Sequence, residues 1–278
     1  MATFKEFANA EKFNEWLVQQ KVTRTIKYLQ VHHMDLPSYT TWKNTDCKLW
    51  GEKNAPLTRT QSLNDYGKQT WGSGASDGHG HYIAQHFNVF PNGTITTGRD
   101  LNSTPIGIRG WNTNAICIEI YGCFDKGHDT MTEAQKKAVA GIYYYLAKKF
   151  DISIDNAHIR PHCWFTAGGT YLGCYNSSRS AKTCPGTNFW GHGCKTKADF
   201  QHFIDDVKKY KADEFKPYVV KIIVDDLNVR KGAGVSYDKV SEVHKGEAFT
   251  IIEVKNGWGK LKSGLGWICI SNKYVEKI

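Results

Sequence analysis

Two spacings of apolar residues divide most of the chain into predicted helices and predicted strands. Recurrence every three or four positions is clearest over 132–150, where Thr132 is placed to cap a helix. The same spacing predicts helices over 4–17, 57–71 and 198–210. Alternation of apolar and polar residues predicts strands. These predicted strands cover 26–33, 115–121, a short segment at 157–159, and a hairpin that joins 85–90 to 94–97 through Asn92-Gly93. Strands interleaved with helices predict an α/β domain with a mixed central sheet flanked by helices.

The pattern changes after Lys211, where only short strands and turns follow. A linker is predicted over 212–217, so the domains are expected at 1–211 and 218–278. Short strands separated by glycine predict a small all-β barrel in the second domain. The predicted strands are 218–224, 249–254, 259–261 and 267–270.

Composition excludes several classes of protein. The chain has 278 residues, of which 40% are apolar, so it can bury a core and wholesale disorder is excluded. This length is near the upper limit for one hydrophobic core, which favours two domains. No segment approaches the 18 or so uncharged apolar residues of a membrane span, so integral membrane association is not expected. The polar segment 1–14 predicts no signal peptide.

Charge favours an anionic partner. Lys and Arg number 36 against 27 Asp and Glu, which gives a net charge of +9. Nucleic acid, a membrane surface and an anionic wall polymer all fit this charge. However, the basic residues are spread along the chain without a block of five, so a nucleic-acid-binding tail is disfavoured.

Eight cysteines are present without a Cys-x-x-Cys pair, which disfavours ribbon-type zinc sites and thioredoxin-like redox chemistry. Without a signal peptide, a disulfide framework is not the default expectation. Some of these cysteines are therefore expected to be metal ligands or buried thiols.

Three positions in the first domain suggest a hydrolytic metal site. His32 lies at the end of the predicted strand 26–33, and His162 and Cys184 lie in loops that could converge with it. Two imidazoles and one thiolate leave a fourth position open on Zn²⁺, as in catalytic zinc sites. The alternative is a set of buried residues without metal. Glu119, on an otherwise apolar strand, is suited to general-base work, and the alternative is a carboxylate on a solvated strand face.

Several motifs occur in one order along residues 26–190, and together they resemble the zinc-dependent N-acetylmuramoyl-L-alanine amidases, which include phage amidases and peptidoglycan recognition proteins. The motifs are His32-His33, His86-Phe87, Asn92-Gly93, Gly98-Arg99, the tract 109–119, Ile159 with His162, and Lys182-Thr183-Cys184-Pro185-Gly186.

The resemblance implies Zn²⁺ as cofactor and a role for each matching position. It implies His32, His162 and Cys184 as ligands, Glu119 as general base and Lys182 as stabiliser of the oxyanion. Trp111 and Asn112 are expected in the substrate groove, with core packing as the alternative for Trp111. His86 is also assigned to substrate binding, although a packed position is the alternative. Gln85 stands where some relatives have Tyr, which removes one expected catalytic hydroxyl.

Residues 218–278 resemble a bacterial SH3 domain. The motifs are Asn228-Val229-Arg230, Gly257-Trp258 and Gly266-Trp267. Such domains bind cell-wall peptide or polymer. The resemblance therefore implies wall binding by Arg230, Tyr237 and Trp258, whereas Trp267 is expected in the core.

The predicted function is hydrolysis of peptidoglycan between N-acetylmuramic acid and L-alanine, by an endolysin or autolysin made in the cytoplasm and acting after release. The expected partners are peptidoglycan and anionic wall polymers, without nucleic acid or an obligate protein partner. A Cys/His wall endopeptidase and a non-catalytic recognition protein are the alternatives. The redox state of Cys47, Cys123, Cys163, Cys174 and Cys194, and any second metal there, are left open.

Overall fold

The structure is a computed structural model that describes residues 3–43, 56–210, 217–255 and 257–278. The chain divides into two compact units, Met1–Ala212 and Asp213–Ile278. The predicted linker over 212–217 lies outside the described residues except for Pro217, and Cys47 also lies outside them. No helix in the described ranges is long and apolar enough to cross a membrane.

The first unit alternates strands with helices. Its strands are β1 (Glu6–Phe7), β2 (Tyr28–His33), β3 (Phe87–Val89), β4 (Ile95–Thr97), β5 (Ala115–Ile120) and β6 (Ile159–Pro161). Its helices are α1 (Ala10–Leu17), α2 (Tyr39–Lys43), α3 (Pro56–Trp71), α4 (Glu133–Lys149) and α5 (Lys197–Lys209). Short 3₁₀ helices cover Gly72–Ala75, His162–Trp164 and Phe189–Gly191.

These strands form one mixed sheet, in the order β1-β4-β3-β5-β2-β6 within the described residues. β2 runs parallel to β5 and β6, and β3 runs parallel to β5, whereas β4 is antiparallel to β1 and β3. Strands β2 and β5 are buried almost throughout, as expected for central parallel strands covered on both faces. The predicted mixed α/β fold is confirmed.

Local sequence explains where the helices begin. Thr132 accepts a hydrogen bond from the amide of Gln135 and starts α4, whose side chains Val139, Ile142 and Leu146 enter the core. Thr196 and Asp199 form a reciprocal capping box at the start of α5.

The first predicted helix is shorter than its apolar pattern suggested. The spacing predicted a helix over 4–17, but Glu6–Phe7 is a strand that pairs with β4, and α1 begins only after Asn9. Asn9 accepts a hydrogen bond from the amide of Lys12 and so caps the helix. A partner nearly 90 residues away thus determines the conformation at this end of the chain, and the local pattern does not contain that information.

The second unit is all-β, as predicted. Its strands are β7 (Tyr218–Ile222), β8 (Asp226–Arg230), β9 (Lys239–His244), β10 (Ala248–Lys255), β11 (Trp258–Leu261), β12 (Trp267–Cys269) and β13 (Val275–Lys277). Within the described residues they form one sheet in the order β13-β7-β10-β11-β12-β8-β9. A separate apolar core, which includes Val229, Ile251 and Ile268, fills this unit.

Candidate metal and catalytic site

The site forms where the parallel strands of the first unit end. His32 is the penultimate residue of β2 and pairs in register with Glu119 of β5. β6 runs parallel to β2 on its other side and ends at Pro161, so that His162 follows immediately. The carboxyl ends of parallel strands meet at one edge of a sheet, which brings these three side chains together.

Cys184 reaches this edge from a loop that is attached at several points. Its carbonyl accepts a hydrogen bond from the amide of Cys163 at 2.7 Å, and its Sγ accepts one from the amide of His33 at 3.4 Å. The Asp125 carboxylate accepts hydrogen bonds from the Thr183 hydroxyl at 2.8 Å and the Thr187 amide at 2.7 Å. These contacts on both sides of Cys184 fix the position of its thiol.

The three donor atoms have the spacing of a tetrahedral metal site. Nδ1 of His32 lies 3.2 Å from Nδ1 of His162 and 3.7 Å from Sγ of Cys184. Zinc with ordinary bond lengths would separate two nitrogens by about 3.3 Å and a nitrogen from a sulfur by about 3.6 Å. The donors His32, His162 and Cys184 therefore fit Zn²⁺ in both type and spacing.

The protonation states of the three donor side chains are consistent with a zinc site. Burial lowers the pKa of His32 well below its usual range and lowers that of His162 to about 4, and the charge of Lys182 adds to both effects. Both imidazoles are thus neutral near pH 7 and can offer a lone pair. Burial raises the pKa of the Cys184 thiol well above its usual range. A cation is therefore needed to hold that sulfur as the thiolate.

Gln30, which the sequence analysis did not single out, orients His32. Its side-chain Nε2 donates to the carbonyl of Trp111 at 3.1 Å and to Oδ1 of Asn112 at 3.3 Å. These two acceptors turn Oε1 of Gln30 toward Nε2 of His32, at 3.3 Å. His32 donates from Nε2 and leaves Nδ1 free for a metal. A glutamine in a strand that is otherwise buried and largely apolar was the available signal.

Glu119 completes the site from β5. Its Oε1 lies 3.9 Å from Nδ1 of His32, and its Oε2 is buried without a hydrogen-bond partner among the described residues. Burial raises the pKa of Glu119 to about 8, although the nearby Lys182 lowers it. A dication beside His32 would restore the ionised carboxylate, because an opposite charge at this distance lowers a carboxyl pKa. The orphaned oxygen is thus consistent with a bound cation and a water.

The side chains of the site open into a cavity of about 580 Å³. His32, Glu119, His162, Lys182 and Cys184 all contribute to its lining. The other lining residues are His33, Met34, Asp35, Trp71, Ala84, Ile106, Gly107 and Thr183. The predicted ligands, base and lysine are therefore brought together around one space that a substrate can enter.

A second group of possible metal donors also includes His32. Cys117 and Glu119 also have ligand atoms near this histidine. However, Cys117 is completely buried, does not line the cavity, and has a pKa that burial raises well above its usual range. Because a catalytic metal needs an open coordination position, the group with His162 and Cys184 is the better candidate.

The three residues expected to bind substrate lie outside the cavity lining. Trp111 packs against Phe165 and Tyr171, and its Nε1 donates to the carbonyl of Gly169. Asn112 accepts hydrogen bonds from Gly107 and from Gln30.

His86 is fully buried, with Nδ1 accepting from the amide of Cys117 and Nε2 beside Arg24 and the carbonyl of Ser103. Gln85 is also buried and donates to Asn88. Of the residues expected to bind substrate, Trp111 and Asn112 contact the site indirectly, through the side chain of Gln30.

In the second unit, two of the three predicted wall-binding residues are adjacent. Nη1 of Arg230 donates to the carbonyl of Tyr237 at 2.8 Å, and the Tyr237 side chain is half exposed. Trp258 lies on β11 opposite Cys269, and none of the described contacts joins it to Arg230 or Tyr237. Trp267, expected in the core, is only partly buried, with the Lys260 ammonium 5.9 Å from its ring.

Comparison with known families assigns both units. A family model described as N-acetylmuramoyl-L-alanine amidase matches residues 22–187. The chain belongs to this amidase family. A second model, described as bacterial SH3 domain, matches residues 225–276. We therefore call the two units the amidase unit and the SH3 unit.

Solved structures give weaker likenesses. An endolysin N-acetylmuramoyl-L-alanine amidase of Clostridium intestinale is 19% identical, with a TM-score of 0.38 over 59% of this chain and 78% of that one. The endolysin of the Thermus scotoductus bacteriophage Ph2119 is 20% identical, with a TM-score of 0.37 over 64% and 91%. Peptidoglycan recognition protein SA of Drosophila is 15% identical, with a TM-score of 0.42 over 66% and 81%. No curated protein sequence matches the chain. The family assignment rests on the family models.

Proposed function

We propose that the chain is a zinc-dependent peptidoglycan hydrolase that cleaves the amide between the lactyl group of N-acetylmuramic acid and L-alanine. The observation that carries the proposal is the convergence of His32, His162 and Cys184 beside the orphaned carboxylate oxygen of Glu119, in a cavity open to solvent. Amidase family membership supplies the class of substrate.

His32 and His162 would hold the ion through Nδ1, and Cys184 would hold it through Sγ. When bound, Zn²⁺ supplies Lewis acidity, which polarises the scissile carbonyl and favours deprotonation of water. Glu119 takes the proton of the attacking water at a carboxylate oxygen and passes it to the leaving nitrogen of alanine. The Lys182 ammonium stabilises the negative charge that develops on the carbonyl oxygen.

The SH3 unit is proposed to hold the enzyme on the wall. Tyr237 and the neighbouring Arg230 offer an aromatic face and a cation at the surface of this unit. The net charge of +9 favours walls that contain anionic polymers, and salt is expected to weaken that attraction.

The environment of Cys184 does not favour a cysteine peptidase. Only 4% of this residue is exposed, and burial disfavours its thiolate unless a cation is present. A catalytic thiol instead needs surroundings that lower its pKa. A binding-only recognition protein would not need the Glu119 and Lys182 pair beside the donors.

Product analysis on purified Gram-positive walls tests the proposal. We expect new N-terminal alanine without new reducing ends, and loss of this activity when a chelator removes the metal. Release of other amino termini in the presence of chelator would indicate a cysteine peptidase. Firm wall binding without release of any amino termini would indicate a non-catalytic recognition protein.

A further inference from the structure

Two cysteines that the proposed mechanism does not use lie in contact beneath the site. Sγ of Cys163 is 2.9 Å from Sγ of Cys194, and both residues are buried, with exposures of 0% and 1%. Both are free thiols in this structure. The sequence left the redox state of Cys163, Cys174 and Cys194 open, whereas the structure brings Cys163 and Cys194 together and leaves Cys174 exposed.

A metal does not explain this pair. Within the described ranges, the donor groups large enough to hold an ion all include His32, and neither Cys163 nor Cys194 belongs to them. Two sulfurs alone do not make a structural zinc site, which needs four ligands.

The pair connects the two segments that present donors to the cavity. Cys163 follows His162 directly, and its amide donates to the carbonyl of Cys184. Sγ of Cys194 lies 3.3 Å from the carbonyl of Gly186 and 3.7 Å from that of Thr183, on either side of Cys184. The indole of Trp164 donates to the Cys194 carbonyl at 2.8 Å, which fixes this cysteine against the same segment.

We propose that Cys163 and Cys194 form a disulfide under oxidising conditions, and that this bond locks the loop carrying Cys184 to the segment carrying His162. One thiolate attacks a small-molecule disulfide such as oxidised glutathione, giving a mixed disulfide and one glutathione. The second thiolate then displaces the second glutathione and closes the Cys163–Cys194 bond. The two cysteines lose two protons and two electrons, and the glutathione disulfide is reduced.

Burial determines when this exchange takes place. Both sulfurs are inaccessible in the folded unit, so the bond forms during folding or in a transiently opened state. Once closed, it is protected from reductant by the same burial. The proposal is independent of the amidase reaction, because it concerns thiols that do not line the cavity.

Oxidative refolding of the full chain tests the proposal. Reduced, denatured protein is refolded with one equivalent of Zn²⁺ in a mixture of reduced and oxidised glutathione. Remaining thiols are then blocked by alkylation in denaturant, where buried cysteines become accessible, and peptides are mapped by mass spectrometry without reduction. We expect a peptide that links Cys163 to Cys194 in most molecules, and the same peptide in C174S. The link disappears in C194S.

Thermal unfolding gives a second readout on the same samples. We expect the oxidised wild type and C174S to lose at least about 5 °C of midpoint when they are reduced by a phosphine in denaturant and refolded under reductant, because the bond closes a loop in the unfolded chain. C194S should show no such loss. Full alkylation of Cys163 and Cys194 after refolding, or linkage of either one to Cys174 or Cys184, would overturn the proposal.

Discussion

At the scale of single residues, the proposed hydrolysis depends on one carboxylate placed beside three metal donors. Glu119 stands out because one of its oxygens is buried without a partner in the described structure, although hydrogen bonds saturate most buried polar atoms. A carboxylate oxygen without a partner is free to accept a proton, which is what a general base at this position must do.

The first prediction concerns this oxygen. Glu119→Gln keeps the size of the side chain and removes its ability to take a proton. We expect turnover on purified walls to fall by roughly 10²- to 10⁴-fold, while the zinc content stays at the wild-type value. Glu133→Gln, at a side chain that is 91% exposed on α4, is the matched control. Near-normal turnover in the Glu119 variant would exclude its role as general base.

The second prediction concerns Lys182 at the cavity wall. Lys182→Ala removes the cation expected to stabilise the oxyanion, so kcat should fall by at least about tenfold. Steady-state kinetics on a soluble muramyl peptide would measure this change, with Lys195→Ala, at an exposed position of the same unit, as the control. If turnover stays within a factor of two of the wild type, Lys182 has no such role.

At the scale of elements, the strand ends position the site, and a close backbone approach holds Gln30 in place. The loop at Gly107 passes directly against the side chain of Gln30. Oε1 of Gln30 accepts the hydrogen bond from the His32 ring. A Cβ at position 107 would meet that oxygen and would also approach Sγ of Cys117 at 3.2 Å. Any side chain at this position must therefore displace Gln30.

The third prediction follows from that contact. Gly107→Ala should weaken zinc binding by roughly 10- to 100-fold, the usual effect of removing a group that orients a metal ligand. Competition with a fluorescent chelator would measure the affinity. Gly74→Ala is the matched control, because a Cβ there meets nothing within 4 Å. Equal affinities for the two variants would show that Gln30 does not orient His32 for the metal.

Most of the helices and strands of the first unit could be predicted from the sequence, and the exceptions have physical causes. Helix α4 and strand β5 follow their apolar patterns closely, because burial on a regular face is a local property of the sequence. Strand β1 was taken for helix because its partner β4 is distant in the chain. The role of Gln30 depends on Trp111 and Asn112, which only the folded chain brings near it.

The candidate site, too, could be predicted only in part from the sequence. The residue types at His32, Glu119, His162 and Cys184 allowed a zinc hydrolase but also a buried set without metal, and the resemblance of the ordered motifs to the amidase family favoured the zinc site. Which of the remaining side chains face the cavity depends on packing. Trp111 and His86 were expected at the substrate, but packing places them outside the cavity lining, whereas Trp71 at the end of α3 lines it.

At the scale of the whole molecule, the chain has two units with separate cores, and we propose that one hydrolyses peptidoglycan and the other attaches to the wall. The fourth prediction tests this division in the full chain. Tyr237→Ala removes an aromatic ring that is 50% exposed, and it should weaken binding to walls severalfold in a pelleting assay. Tyr274→Ala, at 38% exposure in the same unit, is the matched control.

Turnover on a soluble muramyl peptide distinguishes attachment from catalysis in these two variants. We expect it to be unchanged in both, because neither residue belongs to the amidase unit. Binding should also decline as salt is raised, since the net charge of +9 contributes to it. Wild-type wall binding by the Tyr237 variant would remove this residue from the wall-binding surface.

The most direct test of the central claim is the zinc content of chains stripped with chelator and then titrated with Zn²⁺. We predict one ion per chain for the wild type and for the controls His158→Ala and Cys123→Ser, and a large loss of affinity in His162→Ala and Cys184→Ser. His158 is a suitable control because its ring is paired with Asp155. A wild type that binds no zinc, or ligand variants that bind it as tightly as the controls do, would contradict the account.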